Sequence, residues 1–235
     1  MTRERQAGRP SWLAGYIMAG GTSSRFGRDK ALVEIDGKPM LARMIELMRG
    51  LTTRVKTVGT ARKYAEFGVG MVADRWPGEG PLGGIITALL DAASAPAQRA
   101  PRRQPGVTSL PRASRGQELL GWCLIVSCDM PFLTSDWLKY LAERAAKSSA
   151  QAVLPCSAQG AEPLCACYRT DAAGPLQAAF ETGVRKITEA LKHVSVEMLD
   201  EREWKRFDSA GQLFWNMNTA ADFEKVRRVW EVERR

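Results

Sequence analysis

A chain of 235 residues with 45% hydrophobic and 26% charged residues has the length and composition to bury a substantial core as one domain. No apolar run approaches the roughly 18 residues that a membrane span needs, and none follows the basic start Met1 to Pro10 as in a signal peptide, so a cytoplasmic protein without membrane contact is expected. Of the net charge of +8, Ser94 to Gly116 contributes +5 and Met1 to Pro10 contributes +2, which leaves a nearly neutral body and argues against a broad nucleic-acid-binding face.

In chain order, the tail 1 to 10 is expected to be disordered, and Leu13 to Met18 reads as a strand that ends in a loop of small residues. Met40 to Arg49 reads as a helix, Val55 to Gly59 and Val69 to Ala73 as strands, and Leu82 to Ala93 as a helix. Ser94 to Gly116 combines Arg99, Arg102, Arg103, Arg112 and Arg115 with Pro96, Pro101, Pro105 and Pro111 and has few large apolar residues, which predicts a mobile insertion. It is either a passive loop or an arm for an anionic partner. Strand Cys123 to Cys128, helix Ser135 to Ala146 and strands Ala152 to Pro155 and Leu164 to Tyr168 follow. Asp171 to Glu181 and Val184 to Leu191 read as helices, Ser195 to Leu199 as a strand, and Ala220 to Glu231 as a closing helix. This alternation predicts a single Rossmann-like three-layer α/β/α sandwich over residues 1 to 235, with a mostly parallel sheet and a site at the carboxyl ends of its strands.

Five cysteines, three of them in apolar strand-like runs, read as structural thiols. With His193 as the lone histidine, a His/Cys metal site is poorly supplied, so a metal should sit on oxygen ligands.

Four segments carry the chemistry. The first strand runs into Ala19-Gly20-Gly21-Thr22-Ser23-Ser24-Arg25-Phe26-Gly27-Arg28-Asp29-Lys30, whose small residues let backbone amides approach an anion while Arg25 and Lys30 supply charge. Lys30 stands three residues after Gly27, so this is not a Walker loop, and its glycine order does not match the dinucleotide fingerprint. The bland alternative is a flexible Gly/Ser turn. Asp129 follows an apolar strand and offers hard oxygen to Mg²⁺, the alternative being a cap for the next helix, where Thr134 and Ser135 lie closer. Asp74 to Gly84 again joins a strand to a helix. Its glycine pairs permit close backbone contact with a base or phosphate, and Asp74 can accept from sugar hydroxyls or base N–H groups. In Asn216-Met217-Asn218-Thr219, Asn218 offers a neutral oxygen and Thr219 a helix cap.

Together, Met18 to Leu32, Gly37-Lys38-Pro39-Met40, Gly80-Pro81-Leu82-Gly83-Gly84, Cys128-Asp129-Met130-Pro131, Gly183-Val184-Arg185-Lys186 and Asn216 to Thr219 resemble the molybdenum cofactor guanylyltransferases, MobA-like nucleotidyltransferases, over nearly the whole chain. The resemblance implies the nucleotide-diphospho-sugar transferase fold and transfer of GMP from GTP to the phosphate of molybdopterin, with Mg²⁺ as cofactor. It places Ala19, Gly20, Gly21, Thr22 and Lys30 on the triphosphate, Asp74 and Gly83 on base and ribose, and Asp129 on Mg²⁺. Arg25, Lys30 and Asp129 would carry catalysis, and Asn218, Arg185 and Lys186 would lie on the molybdopterin side. Contacts with other cofactor-biosynthesis or acceptor proteins are compatible with that role, whereas nucleic acid and membrane are not expected partners.

The sequence departs from the family at Phe26, where Met is usual, at Glu162 before Pro-Leu, and at Ala220 after Asn-Thr. A carboxylate at Glu162 would repel an anionic pterin unless Arg185 or Lys186 neutralises it. The rival readings are a related transferase using CTP or another phosphate acceptor, a nucleotide-binding module without catalysis, and a nucleic-acid binder acting through Ser94 to Gly116.

Overall fold

The strands are apolar nearly throughout, with successive side chains on opposite faces of the sheet, and the helices repeat near 3.6, so both sheet faces are covered and the chain sorts into three layers. The computed structural model describes residues 9–20, 29–59, 64–94 and 121–233. Along it run β1 (Leu13–Met18), β2 (Glu34–Ile35), β3 (Lys38–Pro39), α1 (Met40–Leu51), β4 (Val55–Gly59), β5 (Gly70–Ala73), α2 (Pro81–Ser94), β6 (Trp122–Ser127) and α3 (Ser135–Lys147). Then follow β7 (Ala152–Ser157), β8 (Gly160–Ala161), β9 (Cys165–Arg169), α4 (Ala173–Glu181), α5 (Ile187–Ala190), β10 (Val196–Leu199), α6 (Glu201–Trp204) and α7 (Ala220–Glu233).

The main sheet has the order β10-β7-β9-β6-β1-β4-β5, with β8 paired to β7. Every pairing along this order is parallel except those of β9, which runs antiparallel to both β6 and β7. The expected three-layer sandwich with a mostly parallel sheet is therefore present. Because β1 pairs with β4 on one side and β6 on the other, the chain reverses its direction of winding there and opens a crevice at the carboxyl end of β1.

Strand alternation feeds two separate cores. Leu13 and Ile17 of β1 join Leu124 and Val126 of β6 on the face covered by α1 and α3, whereas Ala14 and Tyr16 join Cys123 and Ile125 on the face covered by α2 and α4. On the first face α3 buries Trp137, Leu138, Leu141, Ala142 and Ala145, one stripe of a helix. Its start is fixed by the Thr134 side chain, which accepts from Trp137 N–H, and Arg144 and Lys147 stand at its negative end. Thr134 thus takes the capping role that was the alternative for Asp129.

Two expected helices are corrected. The segment from Asp171 begins as a 3-10 turn over Thr170–Ala172 and becomes α-helical only at Ala173, and the helix expected over Val184 to Leu191 shrinks to Ile187–Ala190. Gly183, at φ 99°, turns the chain out of α4, and Lys186 is still extended at ψ 125°, so helical geometry resumes only at Ile187. Most of the tail 1–10 and of the insertion 94–116 lies outside the described residues; Ser94 ends α2, where its hydroxyl donates to the Asp91 carbonyl. Among the described residues no helix is long and apolar enough to cross a membrane.

Cys123, Cys128, Cys165 and Cys167 are buried, and burial pushes each thiol up, that of Cys165 to about 12. These thiols stay protonated and unreactive at pH 8, because the thiolate is the nucleophile. A native titration with DTNB at pH 8 is expected to label the half-buried Cys156 and to reach five thiols only after unfolding.

Candidate active site

Parallel pairing brings several strand ends to one edge. Met18 is in register with both Val58 and Ser127, so the chain leaves the sheet side by side at Ala19, Gly59 and Cys128. Three backbone bonds tie these exits together: Ala19 N–H to Val58 O at 3.0 Å, Cys128 N–H to Met18 O at 3.2 Å and Asp74 N–H to Gly59 O at 3.4 Å. A Cβ on Gly20 would stand 3.3 Å from Gly59 Cα, so the first loop departs in close backbone contact with the end of β4.

At this edge Asp129 is held from several directions. The Ser127 hydroxyl donates to its Oδ1 at 2.6 Å, and Met217 N–H donates to its carbonyl at 3.0 Å, which draws in the segment leading to α7. Lys30 Nζ lies 3.1 Å from Asp129 Oδ2 and 2.6 Å from Asn218 Oδ1. The Lys30 and Asp129 side chains are 20% and 13% exposed, so the ion pair is largely withdrawn from water yet reachable from one side. An ammonium group between a carboxylate and an amide oxygen marks a position that suits a cation. These two hard oxygens are the donor type that Mg²⁺ takes alongside phosphate oxygens and water. Among the described residues no cluster of three or more His, Cys, Asp or Glu gathers as an all-protein metal cage.

Tyr64 secures the approach to Lys30. Its buried hydroxyl lies 2.9 Å from the Ala19 carbonyl and 3.0 Å from Asp29 Oδ2, linking the two ends of the first loop, and burial keeps the phenol protonated by raising it well above its ordinary range. Asp29 in turn accepts from Ala31 N–H at 3.1 Å and so caps the 3-10 turn Lys30–Leu32.

Beside Asp129 opens a cavity of about 730 Å³ lined by Gly20, Gly59, Asp74, Gly78, Gly84 and Ser127 among others. Asp74 Oδ1 accepts from Trp76 N–H at 3.1 Å and from the Thr87 hydroxyl at 3.3 Å, which fixes its carboxylate at the rim. Gly78 and Gly80, at φ 86° and 91°, hold the rim loop in a left-handed conformation that favours glycine. Gly84 lines the cavity. Gly83 instead packs against Trp76, where an added Cβ would stand 3.2 Å from Trp76 Cβ.

A family model described as the MobA-like NTP transferase domain matches residues 15–195, which contain most of these groups. The chain belongs to that family. A Pelotomaculum thermopropionicum protein named probable molybdenum cofactor guanylyltransferase is 27% identical over 221 residues, 94% of each chain. A Syntrophotalea carbinolica protein named molybdenum cofactor guanylyltransferase is 26% identical over 213 residues, 90% of this chain and 89% of its own. The crystal structure of molybdopterin-guanine dinucleotide biosynthesis protein A from Archaeoglobus fulgidus superposes with a TM-score of 0.73 at 24% identity, over 93% of this chain and 99% of that one. CMP:2-keto-3-deoxy-manno-octonic acid synthetase complexed with CTP shares the fold at a TM-score of 0.65 and 12% identity, over 94% and 99% of the two chains. This MobA-like transferase is thus a nucleotidyltransferase with the nucleotide-diphospho-sugar transferase fold.

Of the residues singled out from sequence, the fold brings Lys30, Asp129 and Asn218 into contact, sets Ala19 and Gly20 beside them, and puts Asp74 on the cavity rim. Gly21, Thr22 and Arg25 lie outside the described residues. Arg185 does not join Asn218, nor does it neutralise Glu162. It donates to Glu79 Oε2 at 2.7 Å and to the Phe180 carbonyl, with its guanidinium 4.0 Å from the Phe180 ring centroid. Lys186 is exposed at the start of α5. Sequence reading missed Tyr64 and Ser127: Tyr64 stands in no motif, and Ser127 is hidden in an apolar run.

Tyr64→Phe removes the hydroxyl and leaves the ring in place. A roughly three- to tenfold rise in the Kd for GTP is expected, measured by calorimetry, with a melting temperature within a few degrees of the parent, since one hydrogen bond is worth about 1 kcal/mol.

Proposed function

We propose that the chain transfers GMP from GTP to the terminal phosphate of molybdopterin, giving molybdopterin guanine dinucleotide and pyrophosphate. The observation that carries this reading is the Lys30 ammonium shared by Asp129 and Asn218, joined through the Ser127 hydroxyl on Asp129 to a cavity that Ser127 and Asp74 both line. The names of the relatives that align along almost the whole chain support guanine and molybdopterin as the substrates.

In this reading a phosphate oxygen of the acceptor forms the new bond to the α-phosphorus of GTP as the bond to the pyrophosphate oxygen breaks, and the leaving group takes that electron pair. The nucleophile is already anionic, so the protein needs no general base and works by alignment and charge neutralisation. Ala19, Gly20, Gly21, Thr22 and Arg25 hold the triphosphate together with Lys30, which exchanges its carboxylate partner for phosphate oxygens. Asp74 accepts from ribose or base, and Gly84, rather than Gly83, gives the base room at the cavity wall. Asp129, with Asn218 beside it, would hold Mg²⁺. When bound, the ion supplies neutralisation of the charge that builds on the phosphates.

The test supplies purified molybdopterin with each of the four nucleoside triphosphates and reads pyrophosphate and product. GTP alone should yield pyrophosphate and the guanine dinucleotide. Preference for CTP would point to a related transferase, and GTP binding without turnover to a non-catalytic module. Asp129→Ala is expected to lower turnover by about 10²- to 10³-fold. Magnesium-dependent pyrophosphate release that survives this change would remove Asp129 from the centre.

A further inference from the structure

A second cavity, of about 340 Å³, lies on the same carboxyl edge, beyond the turn that leads into β9. It is lined by Gln159 and Glu162 from the β7–β8 hairpin and the residues after it, by Trp215 and Asn216, and by Lys225 of α7. Two short connections join it to the reaction centre. Asn216 stands two residues before Asn218, which meets Lys30, and Glu162 stands two residues before Leu164, whose carbonyl accepts Ser127 N–H at 2.8 Å. A ligand seated here is therefore next to Asp129 but outside the nucleotide cavity.

The polar lining is selective. Asp222, also on this cavity, is held to the backbone through one oxygen, its Oδ2 accepting Asn218 N–H and Thr219 N–H at 3.0 and 2.8 Å. Glu162 is held from the protein side by the Ser157 hydroxyl, 2.6 Å from its Oε1. Burial raises the Glu162 carboxyl above its ordinary range while the Ser157 bond opposes the shift. A partly dehydrated carboxylate gains most from a ligand that returns two donors to it. Gln159 and Asn216 add amide groups that donate and accept, and Lys225 rests its ammonium 3.8 Å from the Trp215 ring centroid, so this wall is both flat and cationic.

We propose that Glu162 is a specificity-determining residue that reads the 2-amino-4-oxopyrimidine edge of the acceptor's pterin, its two oxygens accepting from the ring N3–H and the exocyclic 2-amino group. The inference rests on the molybdopterin reading above and assigns a role to a carboxylate that would otherwise repel an anionic substrate. Glu162 faces the donor edge of the heterocycle, and the acceptor's phosphate lies at the other end of the molecule, toward Lys30. Neutralisation by Arg185 is then unnecessary, consistent with the engagement of Arg185 by Glu79.

The experiment titrates the full chain with two fluorescent probes, 6-hydroxymethylpterin and 6-hydroxymethyllumazine, in which the 2-amino donor is replaced by a 2-oxo acceptor. Saturating GTP is present throughout, because guanine carries the same edge and must be kept to its own cavity. The parent is expected to bind the pterin about tenfold or more tightly than the lumazine, as an unpaired or repelled buried polar group costs about that much. In Glu162→Gln the amide can accept N3–H and donate to the 2-oxo group, so the preference should vanish or invert, while melting temperature and protection by GTP stay at parental values. Glu162→Ala, the second variant, should bring the ratio toward one. An unchanged ratio in both variants overturns the assignment, as does a parent that turns over molybdopterin but does not distinguish the two probes. A parent inactive with molybdopterin defeats the functional reading instead, and this proposal with it.

Discussion

Lys30 reaches from the first loop to Asp129, 99 residues on, and to Asn218, 188 residues on, and the rest of the site depends on that junction. The lysine can make both contacts because its turn is fixed at the base: Asp29 caps it, and Tyr64 lies against Asp29 and the Ala19 carbonyl where the loop leaves β1. Asp129 is available because the parallel register ends β6 level with β1, and Asn218 because Met217 N–H docks on the Asp129 carbonyl. Three distant segments therefore converge through bonds other than the ion pair, backbone ones at β6 and Met217 and side-chain ones at Asp29 and Tyr64, and the charged contact completes the arrangement.

Such a pair is a weak source of stability, since withdrawing two charges from water offsets much of their attraction. Its value is in what the charges can do next. In the proposed reaction a triphosphate and a divalent cation would offer each partner a replacement of the same sign as the one it loses, phosphate for Asp129 at the ammonium and cation for Lys30 at the carboxylate. Little reorganisation is required when the surrounding dipoles, the Ser127 hydroxyl and the Asn218 amide, already point inward. Preorganisation here comes from the sheet, whose pairing fixes the ends, and only the side-chain tips need to move.

How much of this was legible in the sequence follows from the range of each interaction. β1 and β4 have the limits the sequence predicts, because their apolar runs are bounded by small or turn residues that act locally. The antiparallel direction of β9 was not legible: Cys165 to Tyr168 are buried on both faces, and such a strand has the same continuous apolar pattern whichever way it runs. The hairpin of β2 and β3 was missed because two residues per strand are too few to display a period. For the site, glycine-rich and acidic segments after strands pointed to Lys30, Asp129 and Asp74, since their positions relative to strand ends are local facts. The bond of Arg185 to Glu79 was not legible, because Glu79 is 106 residues away and nothing near Arg185 announces it. Tyr64 is the same problem in reverse, a residue without a motif that becomes important only once β1 and β4 are side by side.

The two cavities are also built from different parts of the chain, and that division bears on specificity. The larger is walled by the ends of β1, β4, β5 and β6 and the start of α2, the smaller by the β7–β8 hairpin, the segment before α7 and α7 itself, and the turn from Glu162 to Leu164 reaches both. Only the turn through Glu162 to Leu164 and the segment Asn216 to Asn218 touch both the smaller cavity and the centre. On the acceptor reading proposed above, substitutions on the hairpin or on α7 would alter acceptor recognition without touching the Asp29, Tyr64 and Ser127 bonds around Lys30 and Asp129. In the same reading the nucleotide would be recognised at the strand ends, where Gly20 and Gly59 leave no room for a side chain without moving backbone. On the acceptor reading proposed above, a carboxylate such as Glu162 is tolerated close to a site for anions because it belongs to the half of the edge that would face the heterocycle, where its partial burial would make it selective for the donors presented to it.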